Sequence, residues 1–333
     1  MYKLTSGLRR SLSSALIGRR NQHQKATQTI GEEFQEINIP VPWGHIAGKW
    51  WGQKDIQPVV GLHGWENNAG TFDNLAPLLT IRSFLAFDWP GHGLSSHIPL
   101  GRPYYFMDSV LVLRQISKYF KWDKISIIGH SYGSCVGFVY AAVFPDSVEN
   151  YVSIDCARTL MASEIEQEGM QLRLASDMLL NFEDKLVNSN PPCYDYDHMV
   201  DLLHIGSLKS VTKDSSKILL RRGMRKTVGD TECYHFSRDL RLQCHAVGRF
   251  PNEFLLKMAP RIHCNHLSIR GLQGLIIGKK EDEYFRTLNL IQKSSNKVEH
   301  HDIEGTHHVH LNNAERVAPI INSFLHSLYP PEC

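Results

Sequence analysis

The 333-residue sequence lacks the features that mark most secreted and membrane proteins. It contains no Asn-x-Ser/Thr glycosylation site, and its seven cysteines are scattered, odd in number and form no Cys-x-x-Cys pair. Both absences favour a reducing compartment inside the cell. Apart from residues 135–144, which are too few to span a bilayer, no apolar run approaches the roughly 20 residues that a transmembrane helix needs. The sequence therefore predicts a soluble intracellular protein.

Acidic residues are absent from the first 31 positions. The same segment carries six basic residues, Lys3, Arg9, Arg10, Arg19, Arg20 and Lys25. Apolar residues recur on one face at helical spacing, at Leu4, Leu8, Leu12, Ala15 and Leu16. An amphipathic, Arg-rich and acid-poor N-terminus is typical of a mitochondrial presequence. We therefore expect the mitochondrial matrix, with the cytoplasm or the peroxisome as alternatives if residues 1–31 are only a basic tail.

The net charge gives no sign of a nucleic-acid partner. The formal charge is +2, but without residues 1–31 the basic residues fall from 36 to 30 against 34 acidic ones, a balance near −4. A nucleic-acid-binding surface needs a basic excess. The hydrophobic and charged fractions, 42% and 21%, are ordinary for a globular chain.

Residues 124–144 carry the strongest functional signal. Ile125–Ile128 is a β-branched run typical of a strand buried on both faces. Cys135–Phe144 is an apolar stretch rich in small residues, typical of a buried helix. Between them stands Gly129-His130-Ser131-Tyr132-Gly133, which matches the nucleophile elbow G-x-S-x-G. The alternative is a glycine-containing turn with an ordinary serine, but the flanking strand and helix favour a catalytic Ser131.

Strand and helix patterns alternate along much of the chain. We predict a hairpin over residues 34–51 and strands at 58–65, 83–87, 125–128, 151–154, 274–278 and 298–303. The predicted helices are 71–79, 104–120, 135–144, 283–294 and 314–328. Such alternation predicts an α/β fold with a mostly parallel, doubly wound sheet.

The alternation stops over residues 157–245, which are mostly helix-like and polar. We interpret this segment as a helical cap inserted into an α/β core formed by residues 32–156 and 246–333. A cap above the strand ends would cover the active site, exclude water and shape the substrate pocket.

A serine hydroxyl needs a base to take its proton and an acid to orient that base. The base is expected between the last strand and the last helix, where residues 304–311 read EGTHHVHL. We predict His307, with His308 and His310 as rivals, because the sequence does not say which imidazole points inward. Solvated or metal-binding histidines are the alternative, but no carboxylate or cysteine accompanies them at metal-ligand spacing.

The acid is harder to single out. It is expected after the predicted strand that ends at Gly278, where three carboxylates stand in a row at positions 281–283. We prefer Asp282, with Glu281 close behind. Asp155, at the end of the strand that follows the elbow, is a further option; its other role would be a strand-end carboxylate that caps or packs.

Acyl transfer creates an oxyanion that needs backbone N–H donors positioned in advance. One donor is expected from the residue after the nucleophile, Tyr132. The other is expected from the loop His63-Gly64-Trp65 after an earlier strand, with the Trp65 amide as the donor.

Four motifs together resemble the α/β-hydrolase superfamily: His63–Trp65, Asp88–Ser95, Gly129–Ser134 and Gly305–Leu311. The likeness covers about residues 35–328. Within the superfamily the chain is similar to the serine hydrolase-like, kraken-type proteins, whose Phe-Ser/Thr-Arg-Asp-x-Arg-Leu segment residues 234–242 resemble. The resemblance implies an α/β-hydrolase fold with Ser131 as nucleophile. Haloalkane dehalogenases and epoxide hydrolases are similar in fold but carry aspartate at the elbow, so Ser131 argues against both.

The sequence thus predicts a serine hydrolase that acts on a small-molecule carboxylic ester, thioester or related acyl compound through an acyl-enzyme, without metal or organic cofactor. The alternatives are a hydrolase-fold protein that binds without catalysing, and C–C hydrolase or lyase chemistry on the same scaffold. No pattern in the sequence identifies the substrate, the length of its acyl chain or the oligomeric state.

Overall fold

The computed structural model describes residues 29–158, 165–227, 233–244, 250–276 and 278–326. Residues 1–28, which hold most of the predicted presequence, lie outside the described part. No helix within the described ranges is long and apolar enough to cross a bilayer.

Eight strands form one sheet in the order β1-β2-β4-β3-β5-β6-β9-β10. Their bounds are β1 Phe34–Val41, β2 Gly44–Gly52, β3 Val59–Leu62, β4 Ser83–Phe87, β5 Ile125–His130, β6 Val148–Ile154, β9 Asn265–Gln273 and β10 Val298–Thr306. Strand β2 pairs antiparallel with β1 and with β4, and the other neighbours are parallel. The prediction of a mostly parallel α/β sheet is confirmed.

Helices cover both faces of the sheet. The bounds of the α-helices are α1 Phe106–Tyr119, α2 Tyr132–Val143, α3 Ile165–Asn188, α4 Tyr196–Gly206, α5 Lys213–Gly223, α6 Asn252–Met258, α7 Lys279–Gln292, α8 Val309–Asn312 and α9 Ala314–His326. Strand residues alternate between two apolar clusters: Ile127 packs with α1 and α2, and Ile128 packs with α9. This period of two explains why the isoleucines of β5 are buried toward both faces of the sheet. The predicted helix 71–79 is two short 3₁₀ turns, Ala69–Phe72 and Ala76–Leu78.

The predicted strand over 274–278 is wrong, because the strand that precedes α7 is β9, which ends at Gln273. Polar residues on a buried face conceal this strand in the sequence. His266 and Ser268 are fully buried, and both hydrogen-bond to Ser153 of the neighbouring strand, at 3.0 and 3.2 Å. A buried hydrogen-bonded ladder breaks the apolar run on which the prediction depended.

Between β6 and β9 lies an inserted segment that holds α3–α6 and a two-stranded hairpin, β7 Met224–Lys226 and β8 Tyr234–Phe236. The hairpin was not predicted. Cys193, before α4, is joined by a disulfide to Cys233, before β8, with the Cα atoms 5.5 Å apart. Since the two positions are 40 residues apart, their spacing carries no recognisable pattern. Cysteine spacing therefore gives no argument for a reducing compartment, and the cellular location stays a prediction.

Candidate active site

Ser131 stands alone between the end of β5 and the start of α2, with φ 50° and ψ −114°. A non-glycine residue with positive φ is strained and persists only where its surroundings hold it. The Ser131 amide donates to the Ile154 carbonyl at 3.0 Å, and the Ser131 carbonyl accepts from the Cys135 amide at 3.0 Å. The turn is therefore anchored on one side to β6 and on the other to the first turn of α2.

The two elbow glycines are required by contact with neighbouring backbone. A Cβ on Gly129 would lie 2.7 Å from the carbonyl of Gly133, and a Cβ on Gly133 would lie 2.0 Å from the carbonyl oxygen of Leu62. Real Cβ atoms do not approach backbone so closely. The glycines allow β3, β5 and α2 to converge beneath Ser131.

His307 follows β10 directly and points at a buried carboxylate. Its Nδ1 donates to Oδ2 of Asp155 at 2.5 Å, with the two side chains 9% and 0% exposed. A proton on Nδ1 leaves Nε2 of the neutral ring as the acceptor, which is the tautomer that a general base needs.

Asp155 is held from several sides at the end of β6. Its Oδ1 accepts from the Gly271 amide at 2.9 Å, and its Oδ2 accepts from the Leu275 amide at 3.2 Å. A Cβ on Gly274 would lie 2.3 Å from Oδ2, so the loop after β9 wraps the carboxylate closely. Asp155 itself has φ 51°. This carboxylate has a fixed orientation toward His307.

The structure does not bring Asp282 or Glu281 to His307; the carboxylate that contacts His307 is Asp155. Both residues lie in the first turn of α7, where Asp282 is exposed and Glu281 accepts from Arg270 at 2.6 Å. Because β9 ends at Gln273 and not at Gly278, the loop that reaches the active site precedes these carboxylates.

The rival histidines have other partners. Nδ1 of His308 pairs with Oγ of Ser210 at 2.8 Å, and Nε2 of His310 pairs with Oγ1 of Thr71 at 2.8 Å. Burial lowers the pKa of His310 to about 3 and the pKa of His308 well below its usual value, so both rings are neutral. Within the described ranges no three His, Cys, Asp or Glu side chains are grouped to hold a metal ion.

His130, the residue before Ser131, makes a contact across the site that the sequence prediction missed. It is fully buried, and its Nε2–H donates to the carbonyl of His307 at 2.9 Å. The two rings lie 4.7 Å apart between centroids. This bond ties the end of β5, beside Ser131, to the loop that carries His307. Its only signal in the sequence is the His inside Gly-His-Ser-Tyr-Gly.

The loop after β3 lies against the elbow, since a Cβ on Gly64 would be 3.3 Å from Cβ of Ser131. Nδ1 of His63 donates to the Gly64 carbonyl at 2.7 Å, and Nε2 accepts from the Trp89 amide at 3.0 Å. The second bond needs a neutral ring, because a protonated Nε2 cannot accept, and burial lowers the pKa of His63 to about 3. The loop therefore keeps its shape over the ordinary pH range.

The two predicted oxyanion donors keep their main-chain amides available: within the described part of the chain, neither the Trp65 nor the Tyr132 amide donates to another group. Tyr132 begins α2, whose first amides have no intrahelical acceptor. The Trp65 indole donates to the Leu242 carbonyl at 2.9 Å and packs against Tyr132 with ring centroids 4.8 Å apart.

A buried ion pair and a buried hydrogen bond join the inserted segment to the core, another feature that the sequence prediction missed. Arg222 of α5 donates to Oδ2 of Asp88 at 2.7 Å, and both side chains are almost fully buried. Arg241 donates to Asp239 at 2.7 Å and to the Ile98 carbonyl at 2.6 Å. The Asp88–Ser95 and 234–242 motifs thus tie the inserted segment to the core.

Comparison with known proteins gives relatives that match nearly the whole chain. Residues 57–218 match a family model described as the alpha/beta hydrolase fold. A probable serine hydrolase of Drosophila melanogaster is 40% identical over 308 residues, which cover 91% of this chain and 92% of that protein. A serine hydrolase-like protein of Danio rerio is 31% identical, over 92% of this chain and 93% of that protein.

Solved structures agree in fold. A hypothetical protein of Pseudomonas aeruginosa PAO1 superposes with a TM-score of 0.75 at 26% identity, covering 87% of this chain and 99% of that chain. A thioesterase domain from the curacin biosynthetic pathway gives a TM-score of 0.70 at 18% identity, with the same coverages of 87% and 99%. The chain therefore belongs to the serine hydrolase-like proteins of the α/β-hydrolase fold.

Proposed function

We propose that this protein is a serine hydrolase that cleaves carboxylic esters, thioesters or related acyl compounds through a Ser131–His307–Asp155 triad. The observation that carries the proposal is the 2.5 Å hydrogen bond from Nδ1 of His307 to Asp155. It is supported by the strained turn at Ser131 and by the Gly64 loop that lies against it. The acid in this proposal is Asp155 and not Asp282.

In the proposed reaction, Nε2 of His307 takes the proton of the Ser131 hydroxyl as Oγ attacks the acyl carbonyl carbon. The amides of Trp65 and Tyr132 donate to the oxyanion of the tetrahedral intermediate. The imidazolium then protonates the leaving alcohol or thiol, which departs and leaves an acyl-serine. A water molecule activated by the same imidazole hydrolyses that ester and restores Ser131.

In the proposed reaction, Asp155 fixes the orientation of the His307 imidazole, which acts as the base. Its two oxygens already accept from the Gly271 and Leu275 amides, so the carboxylate does not reorient when His307 becomes charged. A pre-oriented carboxylate stabilises the imidazolium without a reorganisation cost.

We assign small to medium acyl substrates to this site because an aromatic cavity lies beside the Trp65 loop. The cavity has a volume of about 130 Å³, and its aromatic lining consists of Trp43, Trp65, Trp89, Tyr104 and Tyr105. A cavity of about 150 Å³ suffices to bind benzene. Arg102 and Asp108 also line the cavity and supply charged partners for a polar end group of the substrate. The inserted segment, held by Arg222 and Arg241, is proposed to close the site as a cap.

A fluorophosphonate probe tests the proposal directly, because it reacts with an activated serine without the need to know the substrate. Wild type should be labelled, and Ser131→Ala should not. Asp282→Asn serves as the matched control and should be labelled like wild type. If wild type is labelled no more than Ser131→Ala, the protein is a hydrolase-fold binding protein and the proposal fails. A series of p-nitrophenyl esters then measures the preferred acyl length.

A further inference from the structure

Two cysteines stand close in the chain to two residues of the proposed triad, Ser131 and Asp155. Sγ of Cys135 and Sγ of Cys156 lie 3.4 Å apart, and neither residue is in a disulfide. Cys135 stands on α2 one turn after Ser131, and its amide donates to the Ser131 carbonyl. Cys156 follows Asp155 directly in the chain. A covalent bond between these sulfurs would therefore connect the segments that carry the nucleophile and the acid.

The two sulfurs are already oriented toward each other. Both approach the same acceptor, the carbonyl of Arg158, at 3.4 Å from Cys135 and 2.9 Å from Cys156. A disulfide needs an S–S distance of about 2.0 Å, so the sulfurs would have to approach by about 1.4 Å. Cys135 is 5% exposed within a buried helix, whereas Cys156 is partly exposed at the end of a strand. Cys156 is therefore the residue that moves when the two sulfurs approach each other.

Movement of Cys156 acts on the residue beside it. Asp155 has φ 51°, a conformation that L-residues seldom adopt, and its carboxylate depends on three short contacts, with Gly271, Leu275 and His307. A shift of the adjoining peptide changes the direction of the Asp155 side chain. The 2.5 Å hydrogen bond between His307 and Asp155 is then the contact that a turn of the Asp155 side chain weakens most.

We infer that Cys135 and Cys156 form an oxidation site at which a hydroperoxide closes a disulfide and lowers hydrolase activity, and a thiol reductant restores it. The effect on activity rests on the proposed function, whereas the oxidation itself does not.

The chemistry is a two-electron oxidation. The partly exposed Cys156, as thiolate, attacks one peroxide oxygen; the O–O bond breaks, and the other oxygen leaves as alcohol or water. The Cys156 sulfenic acid is then attacked by Cys135 sulfur, the S–O bond breaks, and water leaves with the Cys135 proton. Two thiols are oxidised to one disulfide, and one hydroperoxide is reduced.

Both cysteines fall in one tryptic peptide, Ile125–Arg158, because no Lys or Arg lies between Lys124 and Arg158. The full-length protein is reduced mildly, treated with hydrogen peroxide, alkylated and digested without reductant. The expected peptide is lighter by two hydrogens and takes up no alkylating reagent at either cysteine. A peptide that stays fully alkylated at peroxide doses that oxidise other thiols of the protein overturns the inference.

Activity on a p-nitrophenyl ester is measured on the same samples. We expect oxidation to lower kcat about tenfold or more, in line with loss of triad orientation, and dithiothreitol to restore it. The reduced Cys156→Ser variant should have the same activity as reduced wild type and should keep that activity after peroxide treatment. Cys264→Ala, which removes a different buried thiol, should lose activity on peroxide treatment as wild type does. A disulfide that forms with unchanged kcat overturns the regulatory role.

A readout independent of catalysis separates this inference from the proposed function. The proton on Nδ1 of His307 should give a downfield NMR resonance, absent in Asp155→Asn, that shifts or disappears on oxidation and returns on reduction. If fluorophosphonate labelling fails in reduced wild type but this resonance and the peptide respond to peroxide, the hydrolase proposal falls and the oxidation site stands. An unchanged resonance in protein that carries the disulfide overturns the coupling to Asp155.

Discussion

Replacing Asp155 by asparagine should remove most of the catalytic rate while leaving the fold intact. Two of the three donors that surround the carboxylate, the Leu275 amide and His307, point at Oδ2, and the third, the Gly271 amide, points at Oδ1. Asparagine has one acceptor and one NH₂ group, so it cannot serve both sides. If its oxygen faces Gly271, its NH₂ faces His307 and forces the proton onto Nε2, where the ring no longer accepts the Ser131 proton.

The size of the effect follows from that tautomer. In a serine protease triad the same change lowers kcat by about 10⁴-fold, or roughly 5 kcal/mol of transition-state stabilisation. The alternative orientation, with NH₂ against the Gly271 amide, costs about 1–3 kcal/mol for a buried unsatisfied donor. We therefore expect kcat to fall by about 10³- to 10⁴-fold, with KM changed much less.

Steady-state hydrolysis of the best p-nitrophenyl ester measures kcat and KM, and thermal unfolding checks that the variant is folded. Asp282→Asn is the matched control: it makes the same chemical change on an exposed side chain and should keep kcat within about twofold of wild type. The reasoning is refuted if folded Asp155→Asn stays within tenfold of wild type, or if Asp282→Asn loses as much activity as Asp155→Asn.

Three further variants test the packing around the site. Gly133→Ala should lower the free energy of unfolding by at least about 2 kcal/mol, because its Cβ meets the backbone of β3; Gly206→Ala, with nothing within 4 Å, should be nearly neutral in urea denaturation. His130→Leu should lower kcat about tenfold by freeing the base-carrying loop, and His130→Gln, which keeps a donor, should recover part of it; equal rates would contradict the positional role. Arg222→Met should cost about 3 kcal/mol by leaving a buried Asp88 carboxylate unpaired. Burial raises the pKa of Asp88, so this deficit should shrink as the pH falls and Asp88 becomes protonated; a deficit independent of pH would exclude that origin.

The local patterns of the sequence were enough to predict the sheet and the elbow. A strand buried on both faces is mostly apolar, as β5 is with its three isoleucines, and the elbow has glycine at Gly129 and Gly133, where a Cβ would meet backbone. Each of these signals is contained in a short stretch of the sequence, so a local pattern shows it. The position of His307 after the last strand follows in the same way from the order of elements.

Other features depended on contacts between distant segments. Strand β9 escaped prediction because His266 and Ser268 are polar residues buried by partners on another strand. The loop after Gln273 closes on Asp155 and leaves Asp282 in solvent, and this path of the chain is why we propose Asp155 as the acid. A carboxylate becomes the partner of a histidine through its distance and its hydrogen bonds, and only the tertiary structure determines these.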